Sequence, residues 1–362
     1  RRPPRSTLDR SSAASDVYKR QDIDCSACYA RFPSNIYIRH TTYLKMQILV
    51  TGSTGFIGRR VVAQLLKHGH AVKALVRNRS RIPSNWGKNN IDIIYGDIMD
   101  VDSVRLACKN VDSIIHLVAV VREKGPATFK QINYVGTKNV IDAAKIEGVK
   151  QFIHASAIGA SANKSIPYLY SRWLAEQHII ENPMSYSILR FSVAFGRGDE
   201  FFNTLAALTK ISRIVPVVGS GKTLFQPIYA DDVARCLVAS VLENRDVDSV
   251  IELGGPENYT YNELLDLIAR TLGIKIFKSH MPLNMISQLA FVMDKILIKA
   301  PVTPDQLKML SIDNIALIDS VETNFGFKPV GLKGNLDYLG ELKLFDALKI
   351  AAGFPKTRSE DY

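Results

Sequence analysis

The sequence predicts an α/β fold: a doubly wound parallel sheet with helices on both faces and a smaller C-terminal lobe for substrate. Three observations carry the prediction. Residues Gln47–Thr51 form a short apolar and β-branched run, of the kind buried on both faces of a sheet. Glycines follow at Gly52, Gly55 and Gly58, and apolar residues then recur at Val61, Val62, Leu65 and Leu66 with helical spacing. Strand-length runs and helical periods alternate from there to Phe191, the order that winds a parallel sheet.

In chain order, the first helix is expected from Arg59 to His68 and a second strand over Ala71–Val76, ending in Arg77. A third strand, Ile91–Tyr95, precedes Gly96 and Asp97, and a short helix runs from Val101 to Lys109. Ser113–Val118 reads as a strand, Phe129 to Glu147 as one long helix, Val149–Ala155 as a strand, Tyr168 to Glu181 as a helix and Tyr186–Arg190 as the sixth strand. Beyond Phe191 the pattern loosens. Helices are expected over Phe201–Ile211, Asp231–Leu242, Tyr261–Leu272 and the apolar Leu283–Lys299, with a Pro/Gly turn region at Val215–Thr223 and a strand at Ile251–Gly255. The expected organisation is a dinucleotide domain over 46–190 and 224–243, a smaller lobe over 191–223 and 244–331, and a weakly specified tail over 332–362.

Composition excludes some classes. With 46% hydrophobic and 22% charged residues the chain has the make-up of a globular protein with a sizeable core. Leu283–Lys299 is interrupted by Asp294 and Lys295 and falls short of the roughly 18 apolar residues a membrane span needs, so no transmembrane segment is expected. The net charge is +11, but residues 1–45 hold nine Lys/Arg against four acids, which accounts for +5 of it. That stretch shows no lasting period and reads as a non-native or unstructured leader, set aside for the fold. The charge left over forms no like-charge block, so nucleic acid is not expected as a partner. Cys25 and Cys28 have metal spacing without a second pair, and the histidines stand singly, so no metal site is expected. Gly219-Ser220-Gly221-Lys222-Thr223 imitates the end of a nucleotide-triphosphate loop, but Pro216 stands where that pattern needs glycine.

Strand, glycine turn and helix together make a phosphate cradle. One glycine allows a positive φ, another allows close approach of a pyrophosphate, and the helix N-terminus offers free N–H groups. The candidate contacts are Gly52, Ser53, Gly55, Phe56, Ile57 and Gly58. The G-x-x-G-x-x-G spacing within T-G-x-x-G-F-I-G resembles the extended and atypical branches of the short-chain dehydrogenase/reductase superfamily, the NAD-dependent epimerase/dehydratase relatives. That resemblance implies a Rossmann fold. It implies that Asp97 contacts the adenine, that Ala119 closes His116-Leu117-Val118-Ala119 against the cofactor, and that Asn133 opens the central-helix motif Asn133-Tyr134-Val135-Gly136-Thr137-Lys138-Asn139.

The end of the second strand carries Arg77, with Arg79 and Arg81 close behind, where an NAD site would place an acid for the ribose 2′-OH. A guanidinium matches the 2′-phosphate, so NADP(H) is expected in preference to NAD(H). The resemblance also implies a Tyr-x-x-x-Lys pair with an upstream serine. The match is Tyr168 as acid/base and Ser156 as the group polarising the substrate oxygen, with Arg172 in the lysine's place, one helical turn from Tyr168. A fixed positive charge would favour the phenolate, but a planar guanidinium cannot simply replace an ammonium at the nicotinamide ribose.

A narrower resemblance runs through Phe195-Gly196-Arg197-Gly198-Asp199, Phe225-Gln226-Pro227-Ile228-Tyr229-Ala230-Asp231-Asp232-Val233-Ala234 and Glu252-Leu253-Gly254-Gly255-Pro256-Glu257. It is similar to the bacterial relatives of the NADPH-binding accessory subunit of respiratory complex I, although Leu189-Arg190-Phe191 replaces their usual Leu-Arg-Pro. It implies a bound nucleotide with weak or no turnover, a cytoplasmic protein with peripheral contact at the inner face of a membrane, and a protein complex or quinone-like ligand as partner. An active NADP-dependent oxidoreductase or epimerase, and an NADP(H) sensor, stay open on the same residues.

Overall fold

A computed structural model describes residues 45–88, 91–243, 247–288 and 302–352 of the chain. A parallel seven-stranded sheet organises it, in the order β3 (Ile91–Tyr95), β2 (Ala71–Val76), β1 (Gln47–Thr51), β4 (Ser113–His116), β5 (Gln151–Ala157), β6 (Ser185–Phe191) and β11 (Ser249–Leu253). The order reverses direction between β1 and β4. That switch point, at the carboxyl ends of the strands, is where open α/β sheets hold their ligands.

Helices α1 (Phe56–Lys67) and α6 (Ala230–Leu242) cover one face, and α2 (Val101–Cys108), α3 (Gly136–Ile146) and α4 (Pro167–Ile180) the other. Alternation along each strand divides the two cores. Ile48 and Val50 join Val61, Val62 and Leu65 of α1, whereas Leu49 joins Val104 of α2 and Val140 and Ile141 of α3. All of these side chains lie in the fully buried class, each worth about 1.5–3 kcal/mol of transfer free energy. Cys108 and Cys236 are buried thiols outside any disulfide, one in each core, and burial pushes Cys108 up to about 12.

A further core holds the smaller lobe together. It joins Phe202, Leu205 and Ala206 of α5 (Phe201–Ile211) to Leu264, Leu265 and Ile268 of α7 (Tyr261–Thr271). Short strand pairs surround it: β7 (Ala194–Phe195) with β10 (Ile228–Tyr229), β9 (Leu224–Phe225) with β12 (Tyr259–Thr260), and β8 (Ile214–Val218) with β13 (Phe277–Met281). Helices α8 (Pro304–Met309), α9 (Ser320–Phe325) and α10 (Leu344–Ala351) follow.

Four expectations need correction. The turn region expected at Val215–Thr223 begins as strand β8, because a two-stranded ribbon leaves donors unpaired and so accommodates Pro216. Ser249–Leu253, expected in the smaller lobe, is the seventh strand of the central sheet, and Val321 and Phe325 of α9 also pack on the central core. The tail expected to be weakly specified buries Leu332, Leu336, Leu339, Leu342, Ala347 and Ile350 in the smaller lobe's core. The long helix expected from Phe129 begins as a π-helical stretch, Phe129–Val135, before α3. Of Leu283–Lys299, residues 283–288 are helical and the rest lies outside the described residues, as do Cys25 and Cys28.

The motif Phe225–Ala234 is a structural clamp. The Gln226 amide donates to the Gly255 carbonyl at 2.7 Å and accepts from the Ala316 N–H at 2.6 Å, while Asp232 accepts from the Val330 N–H at 2.7 Å. Asp231 pairs with Arg60 of α1 at 2.9 Å, and Arg60 donates on to the Arg197 carbonyl, tying the first helix to the loop that opens the smaller lobe.

Candidate dinucleotide site

The glycine turn leaves no room for side chains. Gly52 has φ +72°, and a Cβ there would lie 3.2 Å from the Leu117 and Val118 backbone. A Cβ on Gly58 would lie 2.1 Å from the Gly52 carbonyl oxygen, and one on Gly55 2.9 Å from the same atom. Strand β1, the start of α1 and the Leu117–Ala119 segment after β4 therefore meet at backbone distance. Helix α1 begins after Gly55 with no side-chain cap and no acid in its first turn, which leaves its N–H groups and positive dipole end available for an anion. The buried Ser53 hydroxyl also has no hydrogen-bond partner among the described residues. These residues fit a dinucleotide pyrophosphate.

At the end of β2, Arg77 extends into solvent and pairs with Asp97 Oδ2 at 3.4 Å, so the two side chains expected at the adenosine end meet each other. Asp97 also accepts from the Met99 N–H at 3.0 Å. Arg79 stacks over the Tyr95 ring at 4.1 Å. A fourth guanidinium, missed in the sequence, stands at the lip of the cradle: Arg59 donates to the Arg81 carbonyl at 3.0 Å and the Thr54 carbonyl at 3.3 Å. Its place immediately after the last glycine was the available signal.

Asn133, fully buried, clamps the segment after β4. Its amide accepts from the Val120 N–H at 2.8 Å and donates to the Val120 carbonyl at 3.0 Å and to Ser171 Oγ at 3.1 Å, and Ser171 donates to the Tyr168 carbonyl. Below it, Thr137 gives its proton to the Asn133 carbonyl at 2.8 Å, so it must accept from His116 Nε2 at 3.0 Å. His116 Nδ1 is then the acceptor for Thr51 Oγ1 at 2.7 Å, which assigns the tautomer from the network. Burial, aided by the Arg172 charge, pushes His116 down to about 3, so the ring is neutral at physiological pH. His154 stacks on it with ring centroids 5.5 Å apart, and neither His154 ring nitrogen has a hydrogen-bond partner among the described residues.

The three residues expected to react occupy α4 and β5. Tyr168 packs edge-on against Phe129 at 5.8 Å. Burial raises its phenol above the ordinary value, against the lowering pull of Arg172, so the expected preference for phenolate is outweighed. Arg172 is buried and donates to the Ala155 carbonyl, while its Nε and Nη1 have no hydrogen-bond partner among the described residues. The Ser156 hydroxyl donates to Glu176 Oε1 at 2.5 Å, and Arg190 holds the same carboxylate through Nε at 3.0 Å and Nη2 at 2.6 Å. Glu176 was missed in the sequence. It lies at i+4 from Arg172 and i+8 from Tyr168, so an acid on the helix face that carries the other two was legible.

A parallel sheet with this strand order, a glycine cradle at its switch point and an uncapped helix behind it define a Rossmann-like dinucleotide-binding protein. A family model described as NAD(P)H-binding matches residues 52–244, and the chain belongs to that family, as an atypical member of the short-chain dehydrogenase/reductase superfamily. Among curated relatives, it is 28% identical over 225 residues to the mitochondrial NADH dehydrogenase [ubiquinone] 1 alpha subcomplex subunit 9 of Arabidopsis thaliana. That match covers 60% of this chain and 56% of the relative, so the chain spans little more than half of that subunit's length. It is 25% identical over 243 residues to the photosystem II assembly factor Ycf39 of Guillardia theta, covering 67% and 75%. Its fold matches the UDP-glucose 4-epimerase of Thermotoga maritima with a TM-score of 0.63 and 21% identity, over 83% of this chain and 98% of the other. Among the described residues no helix is long and apolar enough to cross a membrane.

Proposed function

We propose that the protein holds NADP(H) as a bound dinucleotide with weak or no turnover, and acts as a nucleotide-binding subunit or assembly factor linked to respiratory or quinone metabolism. Gly52, Ser53, Gly55, Phe56, Ile57 and Gly58 would hold the pyrophosphate, Arg77 the 2′-phosphate and Asp97 the adenine. Ala119, Asn133 and Arg172 would line the nicotinamide end. When bound, NADP(H) supplies a hydride donor or acceptor.

One observation carries the weak-turnover part of the reading. Ser156 gives its only proton to Glu176, and Arg172 gives a guanidinium proton to the Ala155 carbonyl. A serine so committed can accept a hydrogen bond but cannot polarise a carbonyl. Burial raises the Tyr168 phenol further above its ordinary value, so it yields a phenolate less readily. Relatives named as a complex I subunit and a photosystem II assembly factor support a role within a larger assembly.

The second reading is an NADP-dependent oxidoreductase or epimerase acting on a small or quinone-like carbonyl. It is favoured by the Arg172 charge acting on Tyr168, which retains the electrostatics of an acid/base pair. Purification of the chain with its nucleotide and protein partners separates the two. A stoichiometric nucleotide and a stable protein partner support the subunit reading, whereas a monodisperse protein that oxidises NADPH with carbonyl substrates supports the enzyme.

A further inference from the structure

Helix α10 is apolar on two sides. Ala347 and Ile350 pack into the smaller lobe's core, whereas Leu344, Phe345 and Leu348 face solvent, with Phe345 66% exposed. Other large apolar side chains are exposed at the same end of the lobe. Ile211 closes α5, and the register partners Ile214 and Phe277 open β8 and β13, with Phe277 69% exposed. Two hydrogen bonds bring these elements together. The Lys210 ammonium donates to the Leu342 carbonyl just before α10, and the Phe277 N–H donates to the Arg213 carbonyl at 2.7 Å. Singly exposed apolar residues are ordinary, but six at one end of a lobe form a surface.

Charge says what covers it. Arg213, Lys275, Lys343 and Lys349 are exposed around these groups, and the Lys349 ammonium sits 4.4 Å over the Phe345 ring. The acid on α10 is Asp346, while nearby Glu341 is engaged with Arg197 and Asp266 with Lys278. We infer that this end of the smaller lobe docks on an anionic lipid bilayer, with Phe345, Leu344, Leu348 and Phe277 entering the headgroup boundary and the four cations pairing with lipid phosphates and carboxylates. Apolar groups ringed by cations with long apolar stems suit that boundary. A two-fold contact with a second copy would set the same cations against each other. The docking does not depend on the dinucleotide.

Sedimentation of the full chain with phosphatidylcholine vesicles, with and without phosphatidylserine, tests the surface. The wild type is expected to pellet with the anionic vesicles and to be released by raised salt. A Phe345→Ser/Leu348→Ser variant and a Lys343→Ser/Lys349→Ser variant are each expected to bind at least roughly tenfold more weakly, with NADPH affinity unchanged as the check on folding. Wild-type binding that survives both pairs of substitutions overturns the inference, as does a wild type that stays in the supernatant with both vesicles. A dimer in solution that either variant dissociates would assign the surface to a second copy instead.

Discussion

The Ser156 hydroxyl and the Glu176 carboxylate lie 2.5 Å apart in the interior, with Arg190 forked onto the far side of the same carboxylate. A serine at the end of the fifth strand therefore faces an internal acid, and a fixed ion pair keeps it there. Removing the charge should be felt throughout. Glu176→Gln is expected to cost about 1.5–3 kcal/mol, because the Ser156 and Arg190 hydrogen bonds lose their charged acceptor while Arg190, partly buried, keeps only Glu252 at 3.2 Å. Chemical denaturation checks this, and an unchanged midpoint would show that Glu176 does not hold the pair.

The cradle does not tolerate a side chain at its last glycine. Gly58→Ala places a methyl group 2.1 Å from the Gly52 carbonyl oxygen, which only a backbone shift can relieve. A loss of about 1–3 kcal/mol is expected, together with loss of NADPH binding in a fluorescence titration. Gly69→Ala, on a glycine with φ +80° and open space around it, should leave dinucleotide binding intact.

Cofactor choice rests on Arg77. Its guanidinium is exposed and meets Asp97 at 3.4 Å, a weak surface pair that a phosphate can displace. Arg77→Ala should weaken NADPH by about tenfold, near 1.4 kcal/mol, and leave NADH almost unchanged. Equal wild-type affinities for the two dinucleotides would show that Arg77 does not read the 2′-phosphate.

His154 offers a pH test. Burial first, then the charge of Arg172 and the neighbouring His116 ring, hold it well below the ordinary histidine value. A base with a depressed folded value stabilises the fold above its unfolded value near 6.5 and destabilises it as pH falls below that, because the unfolded chain takes the proton. Neither ring nitrogen has a partner among the described residues, so His154→Phe removes an unsatisfied group while keeping a ring to stack on His116. The variant should match or exceed wild-type melting temperature at pH 7.5 and exceed it clearly at pH 5. A lower melting temperature at both would mean that the imidazole has a polar partner.

Much of this was legible in the chain. The spacing of Gly52, Gly55 and Gly58 and the alternation as far as Phe191 lead directly to the sheet and its switch point, because both are local patterns. Strand β8 was hidden because Pro216 reads as a breaker unless one knows that the strand has a single neighbour. Strand β11 is hard to assign to its lobe from the chain alone, because nothing local to Ser249–Leu253 names β6 as its partner. The internal capture of Ser156 joins residues on β5, α4 and β6, and a pairing across three elements leaves no mark in spacing. Arg172, by contrast, was visible as a departure from the expected lysine, and its burial against Ala155 gives that departure a physical consequence.

The central claim is that the dinucleotide is held and largely unreacted. A single-turnover experiment tests it most directly: protein loaded with one equivalent of NADPH is mixed with a panel of quinones and ketones, and the nicotinamide absorbance is followed. The bound NADPH is expected to persist while the protein stays saturated. Prompt, stoichiometric oxidation by any member of the panel would contradict it.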